Sequence, residues 1–298
     1  MRFLKEDATM TRMTGYVKKP GGYEKRHEPS YKGATMNLPL DLETVSTIKL
    51  DGSDAPFVGV FSYAKKQKIA RKFYYFIPIF LQKIGYAVFF VLHKIFVRIE
   101  IKGRENLLNI NGPIILAPNH TGELDVTAIP LIFPFFSNFF PIYFTTNPDD
   151  EYKGSNNFGW RSFVYGGRFF DLLGGCQIYS GHKNYAISLQ NHIALLTKGN
   201  TVCIFPEGHM TLDGEINRAH GGLGYLVYIT GTTVVPVAID SFYGMSWKKY
   251  FSFRKKVNLT ICKPMFKNEV IDTQNPTVLD FRAGSQKVLD RIREVIIK

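Results

Sequence analysis

A histidine and an aspartate stand five positions apart in Pro118-Asn119-His120-Thr121-Gly122-Glu123-Leu124-Asp125. A carboxylate that accepts from one imidazole nitrogen fixes the tautomer and leaves the other nitrogen free to take a proton from a hydroxyl. On a regular helix, residues five apart are turned by about 140° and do not meet. They meet if His120 lies in a strand-to-helix turn and Asp125 in the first helical turn beyond it. Two further segments carry polar or special residues at the end of an apolar run: Phe205-Pro206-Glu207-Gly208-His209 and Val235-Pro236-Val237-Ala238-Ile239.

Those residues need a frame. Pro113–Ala117, Val202–Phe205 and Val234–Ile239 read as strands, and Lys183–Thr197 reads as an amphipathic helix closed by Lys198-Gly199-Asn200. Laid side by side, the three strands would deliver the His/Asp pair, the Glu-Gly turn and Pro236 to one carboxyl edge. A mixed strand over Lys256–Cys262 and a basic helix over Val278–Ile297 complete the rhythm. The expected fold class is α/β, a mixed and largely parallel sheet flanked by helices. Val126–Pro148 carries no charge, but Pro130, Pro134, Pro141 and Pro148 forbid a continuous membrane span. It reads as a short helix, a loop and a strand near Ile142–Phe144.

The net charge of +12 calls for a polyanionic partner, either nucleic acid or an anionic membrane surface. Its distribution favours the membrane. Between Asp54 and Glu100 there is no acidic residue but eight basic ones, and five of these precede the apolar, aromatic run Phe73–Val97. Lys72, Lys83 and Lys94 are eleven apart, as are Arg71, Gln82 and His93, so both rows share one face of a helix. Such a helix suits the bilayer interface, with lysines reaching to anionic headgroups. A single span and an ordinary buried helix are the alternatives. A span would place Lys83 near the bilayer centre, at a cost of about 2.5–3.5 kcal/mol, and Pro78 in its first turns.

Taken together, the blocks resemble those of the glycerophospholipid acyltransferases, typified by 1-acylglycerol-3-phosphate O-acyltransferases. Asn119-His120-x4-Asp125 matches the catalytic block of that family, Phe205-Pro206-Glu207-Gly208 the start of another, and Val235–Ile239 the last. The Ile101-Lys102-Gly103-Arg104-Glu105-Asn106-Leu107 segment agrees as well, so the likeness covers about residues 73–265. The resemblance implies that His120 is the base and Asp125 its orienter in attack of a lipid hydroxyl on the thioester of acyl-CoA or acyl carrier protein. It also implies that Glu207, Gly208 and His209 shape the acceptor site and that Pro236 positions a cleft wall.

Two departures bear on the acceptor. Met210 and Ser180 stand where the family carries arginines, and neither can bind phosphate as an arginine fork does. Either other cations, Lys183 and Arg218 first among them, take the phosphate, or the acceptor is a different hydroxyl lipid such as a glycolipid. A catalytically weak lipid-binding relative is the remaining alternative.

Composition sets the outer bounds. At 298 residues with 45% hydrophobic and 21% charged residues, the chain is not disordered and not a many-span membrane protein. Three cysteines, none in a C-x-x-C pair, exclude a disulfide framework and a Cys-built zinc site, and no other metal-ligand spacing is recognisable. The first residues lack the apolar core of a secretory signal. The expected organisation is a loosely ordered extension over 1–60, a membrane-associating helical segment over 61–98 and the catalytic domain over 99–298. The protein is expected at the cytoplasmic face of a membrane, peripheral or monotopic. Its expected partners are membrane lipids, a lysophospholipid and the acyl donor, with no resident cofactor and no nucleic acid.

Overall fold

A computed structural model describes residues 16–19, 22–25, 71–147, 168–178, 184–240, 242–252 and 255–296. Most of the extension expected over 1–60 lies outside these residues. Within it Tyr16–Lys19 (β1) pairs antiparallel with Gly22–Lys25 (β2), Val17 opposite Glu24. This hairpin belongs to one unit, residues 1–36, and everything below belongs to a second, residues 37–298.

The second unit opens with helix α1 (Arg71–Phe96), which runs straight into β3 (Val97–Lys102). There follow β4 (Ile114–Pro118), α2 (Asp125–Ala128) continued by a 3-10 turn (Ile129–Ile132), β5 (Ile142–Thr146), α3 (Arg168–Leu172) and β6 (Gly175–Gln177). Next come α4 (Tyr185–Ser188), α5 (Gln190–Thr197), β7 (Thr201–Cys203), α6 (Gly222–Thr230) and β8 (Thr233–Asp240). Helix α7 (Trp247–Ser252), β9 (Lys255–Ile261), α8 (Lys267–Val270) and α9 (Val278–Ile296) close the chain. The helix expected over Lys183–Thr197 is therefore two. Asn184 caps the first, accepting from Ala186 N at 2.8 Å, and Leu189 leaves helical geometry to sink into the core.

The seven strands lie in the order β3-β9-β8-β4-β7-β5-β6. Five of them, β8 through β6, are parallel, while β3 and β9 run parallel to each other and antiparallel to β8. The sheet is thus mixed and mostly parallel, with β4 between β7 and β8.

Strand β4 shows why this arrangement is stable. Its residues alternate between the two faces. Ile114 and Leu116 join a core with Leu124, Ile129 and Tyr250, whereas Ile115 and Ala117 join one with Leu195, Leu226 and Val288. All four are fully buried, and each branched side chain so buried contributes about 1.5–3 kcal/mol. The strand that delivers His120 is anchored from both sides.

Helix α1 lies on the same face as α2 and α7, with Tyr86, Leu92 and Phe96 packed against that core. The helix passes through Pro78, where one backbone rung is forgone. Gln82, Lys83 and His93 of its polar rows turn to the protein. The Gln82 amide donates to Ile142 O at 2.7 Å and Leu173 O at 2.8 Å and accepts from Ile142 N at 2.9 Å. Lys83, expected to reach headgroups, turns its ammonium to the carbonyl of Phe135 and over the rings of Phe135 and Phe140. Tyr86 donates to Phe133 O at 3.0 Å. Lys94 is exposed, and the side chain of Lys72 lies outside the described residues. Phe76, Phe80, Ile84, Val88, Val91 and Ile95, spaced by three or four, form an outward stripe 48–63% exposed. Phe76–Phe96 is long and apolar enough to cross a membrane by length and composition.

Candidate active site

The site is built at the carboxyl end of β4. Asn119, buried there, donates its side-chain amide to Ile239 O at 2.9 Å and accepts from Ile239 N at 2.7 Å. This side chain closes the β4–β8 seam where the backbone ladder stops, so the turn carrying His120 leaves from a fixed point.

His120 and Asp125 meet as the turn geometry requires. His120 Nδ1 lies 2.9 Å from Asp125 Oδ2. Asp125 is fully buried and accepts from every neighbour: Thr121 N at 2.6 Å, Gly122 N at 2.9 Å and the Thr121 hydroxyl at 2.8 Å. A group that only accepts forces the imidazole to hold its proton on Nδ1, leaving the Nε2 lone pair bare. The ring stacks on Phe205 with centroids 3.9 Å apart and planes 20° from parallel. That contact fixes its tilt, while the side chain stays 18% exposed.

Glu207 comes from the turn after β7. It is buried, and both of its oxygens are engaged by protein donors. Oε1 accepts from His120 N at 2.7 Å, while Oε2 accepts from Asn217 N at 2.7 Å and Asn217 Nδ2 at 3.1 Å. The same loop takes the other side of the His120 backbone, Thr211 N donating to His120 O at 2.9 Å. Gly208 sits at φ +72°, where a Cβ would lie 2.9 Å from His220 Cδ2. Glycine alone satisfies both constraints.

His209 stands at the mouth of an open cavity of about 660 Å³ that it shares with Asn217, Arg218, His220, Arg282 and Gln286. No carboxylate lines it. Partial burial, with the neighbouring His209 and Arg282, holds the His220 imidazole below its ordinary range. Neither Arg218 nor Arg282 forms an ion pair among the described residues, so the cavity presents uncompensated positive charge. Met210 and Leu212 project outward beside it, flanking the buried Thr211.

Of the residues expected at the site, the structure brings together His120, Asp125, Glu207, Gly208 and His209, with Arg218 in the adjoining cavity. Pro236 lies deeper, within β8 opposite Ala117, and its carbonyl accepts from Cys262 N at 2.9 Å. Lys183 and Ser180 lie outside the described residues. Asn119, Thr121, Phe205, Asn217 and Arg282 are additions. Nothing local marks Asn217 or Arg282.

Other features are structural. Cys176, Cys203 and Cys262 are free and buried, and burial pushes all three thiols up, Cys262 to about 11. Gly224, in the run His220-Gly-Gly-Leu-Gly, lets α6 approach α9. A Cβ there would fall 2.3 Å from Phe281 O, and its N–H donates to Ser285 Oγ at 2.9 Å. Among the described residues no group of three His, Cys, Asp or Glu side chains is arranged to hold a metal.

The mostly parallel sheet thus carries an oriented, partly exposed imidazole at its carboxyl edge. Residues 98–240 match the family model of the acyltransferases, in keeping with the resemblance carried by the motifs. A similar solved structure is the 1-acyl-sn-glycerophosphate (LPA) acyltransferase PlsC from Thermotoga maritima. It has a TM-score of 0.50 and 21% identity over 78% of this chain and 84% of that one, a likeness of fold. The family match supports an acyltransferase.

Proposed function

We propose that the protein transfers a fatty acyl group from acyl-CoA or acyl carrier protein to the hydroxyl of a lysophospholipid, with His120 as general base. The observation that carries this is the His120 Nδ1–Asp125 Oδ2 contact at 2.9 Å, which leaves Nε2 bare and accessible. Nε2 takes the hydroxyl proton as the oxygen adds to the thioester carbonyl carbon. Collapse of the tetrahedral adduct breaks the C–S bond, and the imidazolium returns the proton to the departing thiolate. Asp125 stabilises the imidazolium and holds its orientation. The reading calls for the thioester as co-substrate and for no resident cofactor.

A phosphate-bearing acceptor, as in the Thermotoga relative's name, is supported by the cavity beside Gly208. Arg218 and Arg282 supply there the guanidinium charge that Met210 and Ser180 do not. The outward stripe of α1 supports seating at a membrane interface, with the apolar side chains in lipid and Lys94 toward the headgroups. The test is mass spectrometry of products from purified protein with oleoyl-CoA and three acceptors: lysophosphatidate, lysophosphatidylglycerol and a neutral monoacylglycerol. His120-dependent acylation of lysophosphatidate supports the reading. Product only from the neutral lipid would assign the acceptor to another hydroxyl lipid.

A further inference from the structure

His93 lies midway between the lipid-facing stripe of α1 and the catalytic turn, and it is fully buried. Its Nε2 is 3.1 Å from Thr127 Oγ1 and its Nδ1 is 2.6 Å from the Tyr250 hydroxyl. Proton counting fixes every donor. The Thr127 hydroxyl gives its one proton to Leu124 O at 2.6 Å, so its oxygen accepts from His93. His93 Nε2 therefore carries the ring proton, and the bare Nδ1 accepts from Tyr250 O–H. The relay runs Tyr250 to His93 to Thr127 to Leu124, joining α7, α1 and α2 without an unpaired group.

Leu124 is the residue before Asp125. Its carbonyl also accepts from Thr127 N at 3.0 Å, so the first turn of α2 is closed by two bonds from one threonine. Phe89 and Phe242 flank the imidazole with ring centroids 5.8 Å and 6.1 Å away, and the T-shaped Tyr250 ring lies at 5.5 Å. Packing thus leaves the ring no second orientation in which to satisfy both partners.

We propose that His93 is a positioning residue. It ties the lipid-facing helix α1 to the turn that presents Asp125, so the seating of α1 sets the orientation of the His120–Asp125 pair. This rests on the reading of His120 as base, and it adds a residue more than twenty positions upstream that touches neither substrate nor His120. A helix that only anchored the enzyme would need no polar bond to the catalytic turn.

The test uses the full chain with His93→Leu, His93→Gln, Thr127→Val and the pair His93→Leu/Thr127→Val, assayed with oleoyl-CoA and lysophosphatidate. Glutamine keeps a donor and an acceptor on a side chain of similar reach. The expected result is a kcat about tenfold lower in His93→Leu and in Thr127→Val, with KM for both substrates within about twofold of wild type. His93→Gln should recover to within about threefold of wild type, and the paired variant should be no worse than either single one. Two observations of the protein itself hold whether or not the enzyme turns over that acceptor. Nitrogen NMR of the wild type should report His93 with Nε2 protonated and Nδ1 bare. Hydrogen exchange in Thr127→Val should quicken at residues 122–128 while α5 and α9 are unchanged. A kcat unaffected by His93→Leu, multiplying losses in the pair, a glutamine no better than leucine or the opposite tautomer would each overturn the proposal. If His93→Leu does not fold, Thr127→Val and His93→Gln decide alone. Activity undiminished in His120→Ala would instead overturn the reading of the base, and the exchange result would still judge the tie.

Discussion

Glu207 holds His120 by its backbone and not by its ring, Oε1 accepting from His120 N at 2.7 Å. The second oxygen takes both nitrogen donors of Asn217, so one buried carboxylate buckles the 207–217 loop to the strand end that carries His120. Replacing Glu207 by alanine strands three donors. Each unsatisfied buried group costs about 1–3 kcal/mol. Glu207→Ala should lower unfolding stability by several kcal/mol in urea titration, and Glu207→Gln by less, because the amide oxygen serves one partner and its NH2 opposes the other.

The cavity arginines make a separate prediction about the acceptor. Charge-assisted bonds to phosphate are worth about 1.5–3 kcal/mol, a factor of ten or more. Arg218→Ala and Arg282→Ala should each raise KM for lysophosphatidate about tenfold and leave KM for the acyl donor unchanged. An unaltered acceptor KM in both would remove the cavity from phosphate recognition.

The outward stripe of α1 predicts how the protein reaches lipid. Val88 and Phe80 are 49% and 54% exposed and make no contribution to the core that a charge would disrupt. Val88→Asp and Phe80→Glu should cut flotation with anionic vesicles about tenfold while Tm moves by no more than a degree or two. Full retention of vesicle binding in the double variant would place the lipid contact elsewhere.

Much of the site is legible in the sequence because its chemistry is local. The His120–Asp125 spacing dictates a turn followed by a helix start, and apolar runs on either side specify the strand and the helix. That these three strands neighbour one another follows from those runs ending in special residues, whereas their order, β8-β4-β7, does not. The direction of α1 does not follow in the same way. Period eleven places Gln82, His93 and the lysines on one side but says nothing of what that side meets, and headgroups and protein carbonyls both satisfy polar groups. The structure gives Gln82, Lys83 and His93 protein partners and leaves the apolar side outward. Arg282 is seventy-five residues past Glu207, and only the docking of α9 beside the loop brings it to the cavity. For Pro236, which the motif associates with a cleft wall, the β4–β8 register sets the residue opposite Ala117.

Stability should depend on pH through two buried histidines. Burial holds His93 and His192 down at about 4, against an ordinary value of 6.5. The folded protein keeps both neutral, whereas the unfolded chain takes up protons below about 6.5. Their contribution is therefore fully present above pH 6.5 and is lost as pH falls from there toward 4, on the order of 3 kcal/mol for each histidine. Urea midpoints at pH 7.5, 5.5 and 4.5 should decline in the wild type. The decline should be shallower in the variant His93→Gln/His192→Leu, whose replacements do not titrate.

The central claim is that His120, oriented by Asp125, takes the proton of a lipid hydroxyl. Its most direct test is single-turnover acyl transfer to lysophosphatidate by wild type, His120→Ala and Asp125→Asn, with folding checked by circular dichroism. Asparagine presents a donor where Nδ1–H needs an acceptor, so it disturbs the tautomer while keeping the shape. The predicted result is a rate lower by about a hundredfold or more in both variants with acyl-CoA still bound. A His120→Ala enzyme within a few-fold of wild type would contradict it.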